Sequence, residues 1–332
     1  MKRGRGGQLG RAEAFMAPGL GFNAKLEKIE GLVKGYRFER LLARVRPGES
    51  GRPPYRALSM FKALLLRQWD ALSDPGLEEA LNDRLSFRRF CGFELEETTP
   101  DETTICRFRQ ALIERGLRDR LLAEPNRPLE GGGFLLQQGT MIDAPRVAAQ
   151  AAPPPLAQGA GAKSRHDPDA DWTRQNGKSP FGDKAHGAMD QGSRLIRRAL
   201  LSPAKVYESE VADALICGDE RAVYADRAYE HKERRRRLKA RAIKDRIMHR
   251  SPKNQSTLPR GQPRRNALIA PIRAPIEPLF AVMKRAYGYR RVRTFSLERK
   301  ALHLELLGLA INLRRGPGAL TPGFCPHGPE NP

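Results

Sequence analysis

The hydrophobic period of this chain changes at Gly131-Gly132-Gly133. Before those glycines, apolar residues recur every three or four positions. After them, short apolar runs alternate with helical stretches. A period of 3.6 and a period of 2 cannot be served by one kind of element, so the chain must fold as an all-helical part followed by a mixed α/β part. Its 332 residues leave room for both.

In the first part, apolar positions from Leu26 to Val45 read as a helix interrupted at Gly35. Arg46-Pro47-Gly48 and Gly51-Arg52-Pro53-Pro54 form a breaker-rich linker. Leu58 to Leu72 is a strongly apolar helix with Trp69 in the core. Asp74-Pro75 reads as an N-cap followed by proline at the first helical position, opening a helix to about Leu85. Thr99-Pro100-Asp101-Glu102 has the capping-box pattern and opens a third helix, with Ile105, Phe108, Leu112 and Ile113 on one face.

In the second part, Phe134 to Ile142 reads as a strand ending at Asp143. Residues 146–180 are rich in Ala, Pro and Gly and read as a long, partly disordered loop around Trp172, which is expected in a small apolar cluster. Phe181–Met189 and Leu195–Leu201 pair around the turn Asp190-Gln191-Gly192-Ser193. A short helix over Glu210–Cys217 precedes a buried strand, Ala222–Ala225, that ends at Asp226. A basic helix to about Ala240, a strand near Ile243–Met248 and a polar loop over 250–266 follow. The last helices are expected over Glu277–Tyr287 and Leu297–Leu313. The expected organisation is a helical domain at 20–128, an α/β domain at 129–315 and a disordered tail at 316–332, with residues 1–22 loose.

Charge narrows the partner. Lys and Arg number 60 against 38 Asp and Glu, a net charge of +22. From Arg227 to Lys300, 23 basic residues face five acids, so most of the excess sits there. Such a surface attracts polyanions by Coulomb attraction and counterion release. A membrane surface would call for an amphipathic apolar face, which Arg234-Arg235-Arg236-Arg237 does not offer. Nucleic acid is the expected partner, with that arginine run on phosphates, and no membrane is. No apolar run of roughly 18 residues exists, and none follows the basic start Met1-Lys2-Arg3-Gly4-Arg5, so neither a spanning helix nor a secretory signal is expected. Cys91, Cys106, Cys217 and Cys325 form no CxxC pair, which argues against a disulfide framework or zinc ribbon and fits the cytoplasm.

Chemistry is carried by carboxylates. Thr140-Met141-Ile142-Asp143 and Val223-Tyr224-Ala225-Asp226 each place an aspartate at the end of an apolar strand. If the strands are neighbours, two like charges stand side by side and repel unless a cation lies between them. Mg²⁺ prefers such oxygen ligands and keeps positions open for phosphates. Two ions about 4 Å apart activate water and stabilise a leaving 3′ oxygen. Glu277, the one acid between Asp245 and Glu298, is the candidate third ligand. Taken singly, each aspartate also reads as a strand-end cap and Glu277 as a salt-bridge partner. The order Asp-strand, hairpin, Asp-strand, Glu-helix favours the metal reading. Lys184 and His186, two apart on one strand, share a sheet face and are candidate DNA contacts. The alternative is a surface lysine beside a hydrogen-bonded histidine. Tyr229 is expected in the core.

These residues resemble those of bacterial insertion-sequence transposases of the DDE, RNase H-like class, of the insertion-sequence-five type. The resemblance rests on Gly139-Thr140-Met141-Ile142-Asp143-Ala144, Phe181-Gly182-Asp183-Lys184-Ala185-His186, Val223-Tyr224-Ala225-Asp226-Arg227-Ala228-Tyr229, and Arg273-Ala274-Pro275-Ile276-Glu277 through Lys284-Arg285. The helical part adds Leu58-Ser59-Met60-Phe61-Lys62-Ala63-Leu64-Leu65-Leu66, Leu72-Ser73-Asp74-Pro75, Leu85-Ser86-Phe87-Arg88-Arg89-Phe90 and Thr99-Pro100-Asp101-Glu102-Thr103-Thr104. Together they cover about residues 20–315.

The resemblance implies an RNase H-like α/β catalytic domain behind an all-α N-terminal domain for DNA binding or dimerisation. It implies two Mg²⁺ ions, with Mn²⁺ as a substitute, on Asp143, Asp226 and Glu277. Arg273, Lys284 and Arg285 would meet DNA. The implied activity is binding of terminal inverted repeats as a homodimer on double-stranded DNA at the bacterial nucleoid, hydrolysis of phosphodiester bonds, and joining of the freed 3′ ends to target DNA. The family's Y-(2)-R-(3)-E-(6)-K pattern is matched at Arg273, Glu277 and Lys284, while Ala270 occupies the tyrosine position. Pro145, Asp183, Pro275 and Pro278 are further departures. The alternative reading is a catalytically inactive DNA-binding relic or end-binding regulator.

Overall fold

The computed structural model describes residues 19–32, 35–43, 45, 55–123, 138–154, 163–173, 180–251 and 257–319. The three-glycine boundary, residues 134–137, the 46–54 linker, Cys325 and the far part of the tail lie outside them. The chain divides into two compact units, Met1–Leu117 and Arg118–Pro332.

The first unit is helical throughout its described residues: α1 (Ala24–Leu32), α2 (Gly35–Leu42), α3 (Ala57–Trp69), α4 (Asp74–Asp83), α5 (Leu85–Cys91) and α6 (Glu102–Glu114). α3 is buried from Ser59 to Trp69, which its unbroken apolar sequence requires. Phe61 stacks on Phe38 at 4.9 Å, and Trp69 meets Phe90 edge-on at 5.7 Å. Two cap assignments shift. The cap of α4 is Ser73, whose Oγ accepts from the Gly76 amide, not Asp74. Asp74 instead binds Arg67 Nε at 2.7 Å and both Nη atoms of Arg109, which ties α3, α4 and α6 together. α6 is capped by Asp101 rather than Thr99, with Oδ1 accepting from Thr104 N at 2.6 Å.

The second unit opens with α7 (Arg118–Leu121). Then come β1 (Thr140–Asp143), β2 (Arg146–Ala148), β3 (Asp171–Trp172), β4 (Phe181–Asp190), β5 (Ile196–Pro203), α8 (Glu208–Leu215) and β6 (Ala222–Ala225). A 3-10 turn (Arg227–Tyr229), α9 (Lys232–Ala240), β7 (Lys244–Ile247), α10 (Gln262–Arg273), α11 (Ile276–Ala286) and α12 (Leu297–Ala319) complete it. Residues 187–189 of β4 pair with both β1 and β5, so those two strands flank it. β6 runs parallel to β1, and β7 parallel to β6. The sheet order is therefore β5-β4-β1-β6-β7 with β4 antiparallel to its neighbours, the expected RNase H-like arrangement. β2 and β3 extend it along the start of β4.

The core gathers Ile142, Ala188, Val223 and Ala225 of the sheet with Ala212, Leu215, Leu238 and Tyr229. α12 lies along β5, where Asn312 accepts from Ile196 N and donates to Ile196 O, both at 2.8 Å.

Three expectations need correction. The segment 146–180 contributes two short strands. The expected polar loop runs into α10, which begins at Gln262 with Pro263 in its first turn, where a missing amide costs no hydrogen bond. Residues 316–319 belong to α12 rather than to a tail. Trp172 packs on Phe181 at 5.3 Å, as its apolar ring demands.

Candidate active site

β1 and β6 pair Thr140 with Val223 and Met141 with Tyr224. The same offset carries Asp143 level with Asp226, at the carboxyl ends of two adjacent parallel strands. Asp226 also caps the 3-10 turn, its Oδ1 accepting from Ala228 N at 2.8 Å. Glu277 comes from α11, which packs against β1. Pro275 is the N-cap of that helix and Pro278 falls in its first turn, so neither proline kinks it. The approach needs Gly187, the register partner of Asp143: a Cβ there would lie 2.9 Å from the Phe280 ring.

Arg273, the last residue of α10, joins two of the acids. Its Nη2 donates to Glu277 Oε1 at 2.6 Å, and its Nη1 lies 3.4 Å from Asp143 Oδ2. Burial pushes the Asp143 carboxyl above the usual range. Arg273 opposes that rise, while the charges of Asp226 and Glu277 add to it. Two strand ends and a helix start thus bring three carboxylates into mutual repulsion, which a cation relieves. Lys284 lies seven residues beyond Glu277, about 10 Å along the same helix face. Burial and the nearby Arg146 lower its ammonium pKa.

The donor set, oxygen only, suits a hard divalent cation such as Mg²⁺. The three carboxylates are not drawn into a single coordination shell. Among the described residues, the only such group with all ligand atoms within 4.8 Å is Cys217, Asp219 and Glu220. That group precedes β6, at the opposite end of the strand from Asp226. Arg197 already pairs with both of its carboxylates, 2.5 Å from Asp219 and 3.5 Å from Glu220. Glu220 also accepts from the Cys217 and Gly218 amides. It is a structural ion cluster.

Several expected DNA contacts lie elsewhere. His186 is fully buried, and its Nε2 shares a 2.7 Å hydrogen bond with Ser202 Oγ. Burial, with help from Lys184, lowers its pKa to about 4, so it is a neutral core residue. Lys184 is buried too and donates to Val206 O at 2.8 Å, 3.8 Å from Glu208. Of the arginine run, Arg234 is a buried clamp on Asp213, Ser209 O and Tyr229 O. Arg235 pairs with Glu230 and Asp245. Arg236 and Arg237 do project outward, the first beside Glu233 and the second beside Asp213. Arg285 is exposed on α11. Asp183, an unexpected residue for its position, is explained by Lys300: the buried ammonium reaches Asp183 at 2.9 Å and Asp167 at 2.7 Å.

The sequence reading missed Glu208 and Arg146. Burial raises the Glu208 carboxyl pKa, Lys184 lowers it, and Asp226 and Asp143 raise it further, so Glu208 shares their field. Arg146 faces Lys184 across β2 and β4. Arg146 follows Asp143 by three residues but lies in no motif, and only the fold brings Glu208 near Asp143. No helix of the described residues is long and apolar enough to cross a membrane.

A family model described as "Transposase domain (DUF772)" matches residues 20–111. A solved structure described as the cryo-EM structure of the piggyBac transposase synaptic complex with hairpin DNA is 11% identical. The match covers 87% of this chain and 73% of that one, at a TM-score of 0.43. A family model described as "Transposase DDE domain" matches residues 137–313, more than half of the chain. The chain belongs to the DDE transposase family.

Proposed function

We propose that this transposase binds the ends of its element as a homodimer, cleaves phosphodiester bonds there and joins the 3′ ends to target DNA. Asp143, Asp226 and Glu277 hold the divalent cations. The observation that carries this reading is the parallel β1–β6 register, which sets Asp143 level with Asp226. Glu277 is linked to Asp143 through Arg273. Bound divalent cations supply an activated water and stabilise the leaving 3′ oxygen.

The chain's own residues do the rest. Asp143 and Asp226 face the incoming phosphate from rigid strand ends. Arg273 holds Glu277 in place and offsets part of the site's negative charge. Lys284, two turns on, meets a non-bridging phosphate oxygen, and Arg236, Arg237 and Arg285 hold flanking duplex. The N-terminal helical unit contributes end binding or dimerisation.

The test is cleavage of duplex DNA carrying the element's own ends, with and without Mg²⁺, by the wild-type chain and by Asp226→Asn. Metal-dependent cleavage by the wild type, lost in the variant while DNA binding persists, supports the reading. Binding without cleavage in both proteins overturns it and leaves an end-binding protein.

A further inference from the structure

We propose that Glu208 is a fourth carboxylate of the Asp143–Asp226–Glu277 site and shares with Asp143 and Asp226 the binding of a hard divalent cation. The proposal rests on reading those three as the metal site.

The first support is positional. Glu208 opens α8, which follows β5 and packs against β4 and the Arg227–Tyr229 turn. That turn begins directly after Asp226. Buried Arg234 staples the two segments together: its guanidinium donates to Tyr229 O on one side and to Ser209 O on the other. Its Nε also binds Asp213 at 3.0 Å, one turn further along α8. A buried guanidinium with three such attachments leaves little freedom between Glu208 and the Asp226 turn. A second tether holds the approach to α8, where Lys184 Nζ donates to Val206 O at 2.8 Å.

The second support is an unsatisfied donor. Tyr229 is fully buried, and its hydroxyl has no hydrogen-bond partner among the described residues. The charged groups acting on it are Glu208, Asp143, Asp226 and Arg273. A buried hydroxyl without an acceptor is costly, and such groups mark the place of a missing water or ligand. The hydroxyl lies within the field of those three carboxylates, and a hydrated cation held by them would supply the oxygen it lacks. The third support is spare acceptor capacity. Lys184 forms a long ion pair with Glu208 at 3.8 Å, a single contact on a carboxylate that offers about four acceptor sites.

Mn²⁺ binding to the full-length chain tests this, read from the free-ion electron paramagnetic resonance signal. Thermal unfolding verifies the fold of each variant. Glu208→Gln is expected to weaken Mn²⁺ binding about 10-fold or more, with Asp226→Asn weaker still. Wild-type affinity in Glu208→Gln, with loss in Asp226→Asn, overturns the role of Glu208 and leaves the three-carboxylate site standing. No Mn²⁺ binding by the wild type overturns both. If Glu208→Gln does not fold because Lys184 is stranded, the comparison becomes Lys184→Met against Lys184→Met with Glu208→Gln. Weaker binding by the double variant supports the proposal, and equal binding overturns it.

Discussion

Asp143 lies opposite Asp226 because the pairing of Thr140 with Val223 and Met141 with Tyr224 reaches both aspartates as the strands end. Asp226→Asn keeps the shape of the side chain and an oxygen for the Ala228 amide. Stability should therefore change by less than about 1 kcal/mol. Metal-dependent cleavage should fall at least about 100-fold, because the amide is a poor ligand for a hard cation. Urea unfolding and a cleavage time course check the two halves.

Arg234 and Arg236 are two residues apart in one run, yet they should behave oppositely. Arg234→Met leaves Asp213 with Arg237 alone and the Ser209 and Tyr229 carbonyls without their buried donor. It should cost about 3–5 kcal/mol in urea unfolding. Arg236→Ala removes an exposed i,i+3 pair with Glu233 and should cost under about 0.5 kcal/mol. Its effect should appear instead as weaker, less salt-dependent DNA binding.

His186 makes stability depend on pH. Its folded pKa is near 4, against an ordinary value of 6.5. Below 6.5 the unfolded chain takes up a proton that the folded chain refuses, so stability falls as pH drops from 6.5 towards 4. The full loss from this group is about 3 kcal/mol. His186→Gln should flatten that part of the stability curve, measured by urea unfolding at stepped pH. An unchanged curve would show that His186 does not carry it.

The correction at α4 also has a measurable consequence. Ser73→Ala removes one cap and should cost about 1 kcal/mol. Asp74→Ala leaves Arg67 and Arg109 without their shared carboxylate and should cost about 3 kcal/mol. Equal costs in chemical denaturation would reverse the assignment.

Local pattern was legible wherever a single element carried it. The apolar run of α3, the β4–β5 hairpin and the two aspartate-ended strands each follow from period and turn chemistry. α10 was hidden because its first turn continues the polar, basic stretch before it, and prolines stand at 263 and 271. One sits in a first turn, and the other is carried inside a helix packed on β6. Glu208 was invisible because nothing in its neighbourhood along the chain refers to Asp143, 65 residues earlier.

The sequence by itself determined the two kinds of architecture, the basic charge and the order of the three acids along the chain. These are consequences of residue type and spacing, which short-range geometry converts directly into helices, strands and strand ends. Only the tertiary structure decided which charges face solvent. Arg234 and Arg236 are the same residue type in the same helix, and burial against α8 makes one a clamp while the other stays on the surface. Only the tertiary structure, too, made β1 and β6 neighbours. That pairing joins residues 83 apart, and no local period records it. The side-by-side aspartates, the arginine between Asp143 and Glu277, and the neutral His186 all follow from long-range contact and desolvation, which act only once the chain has closed.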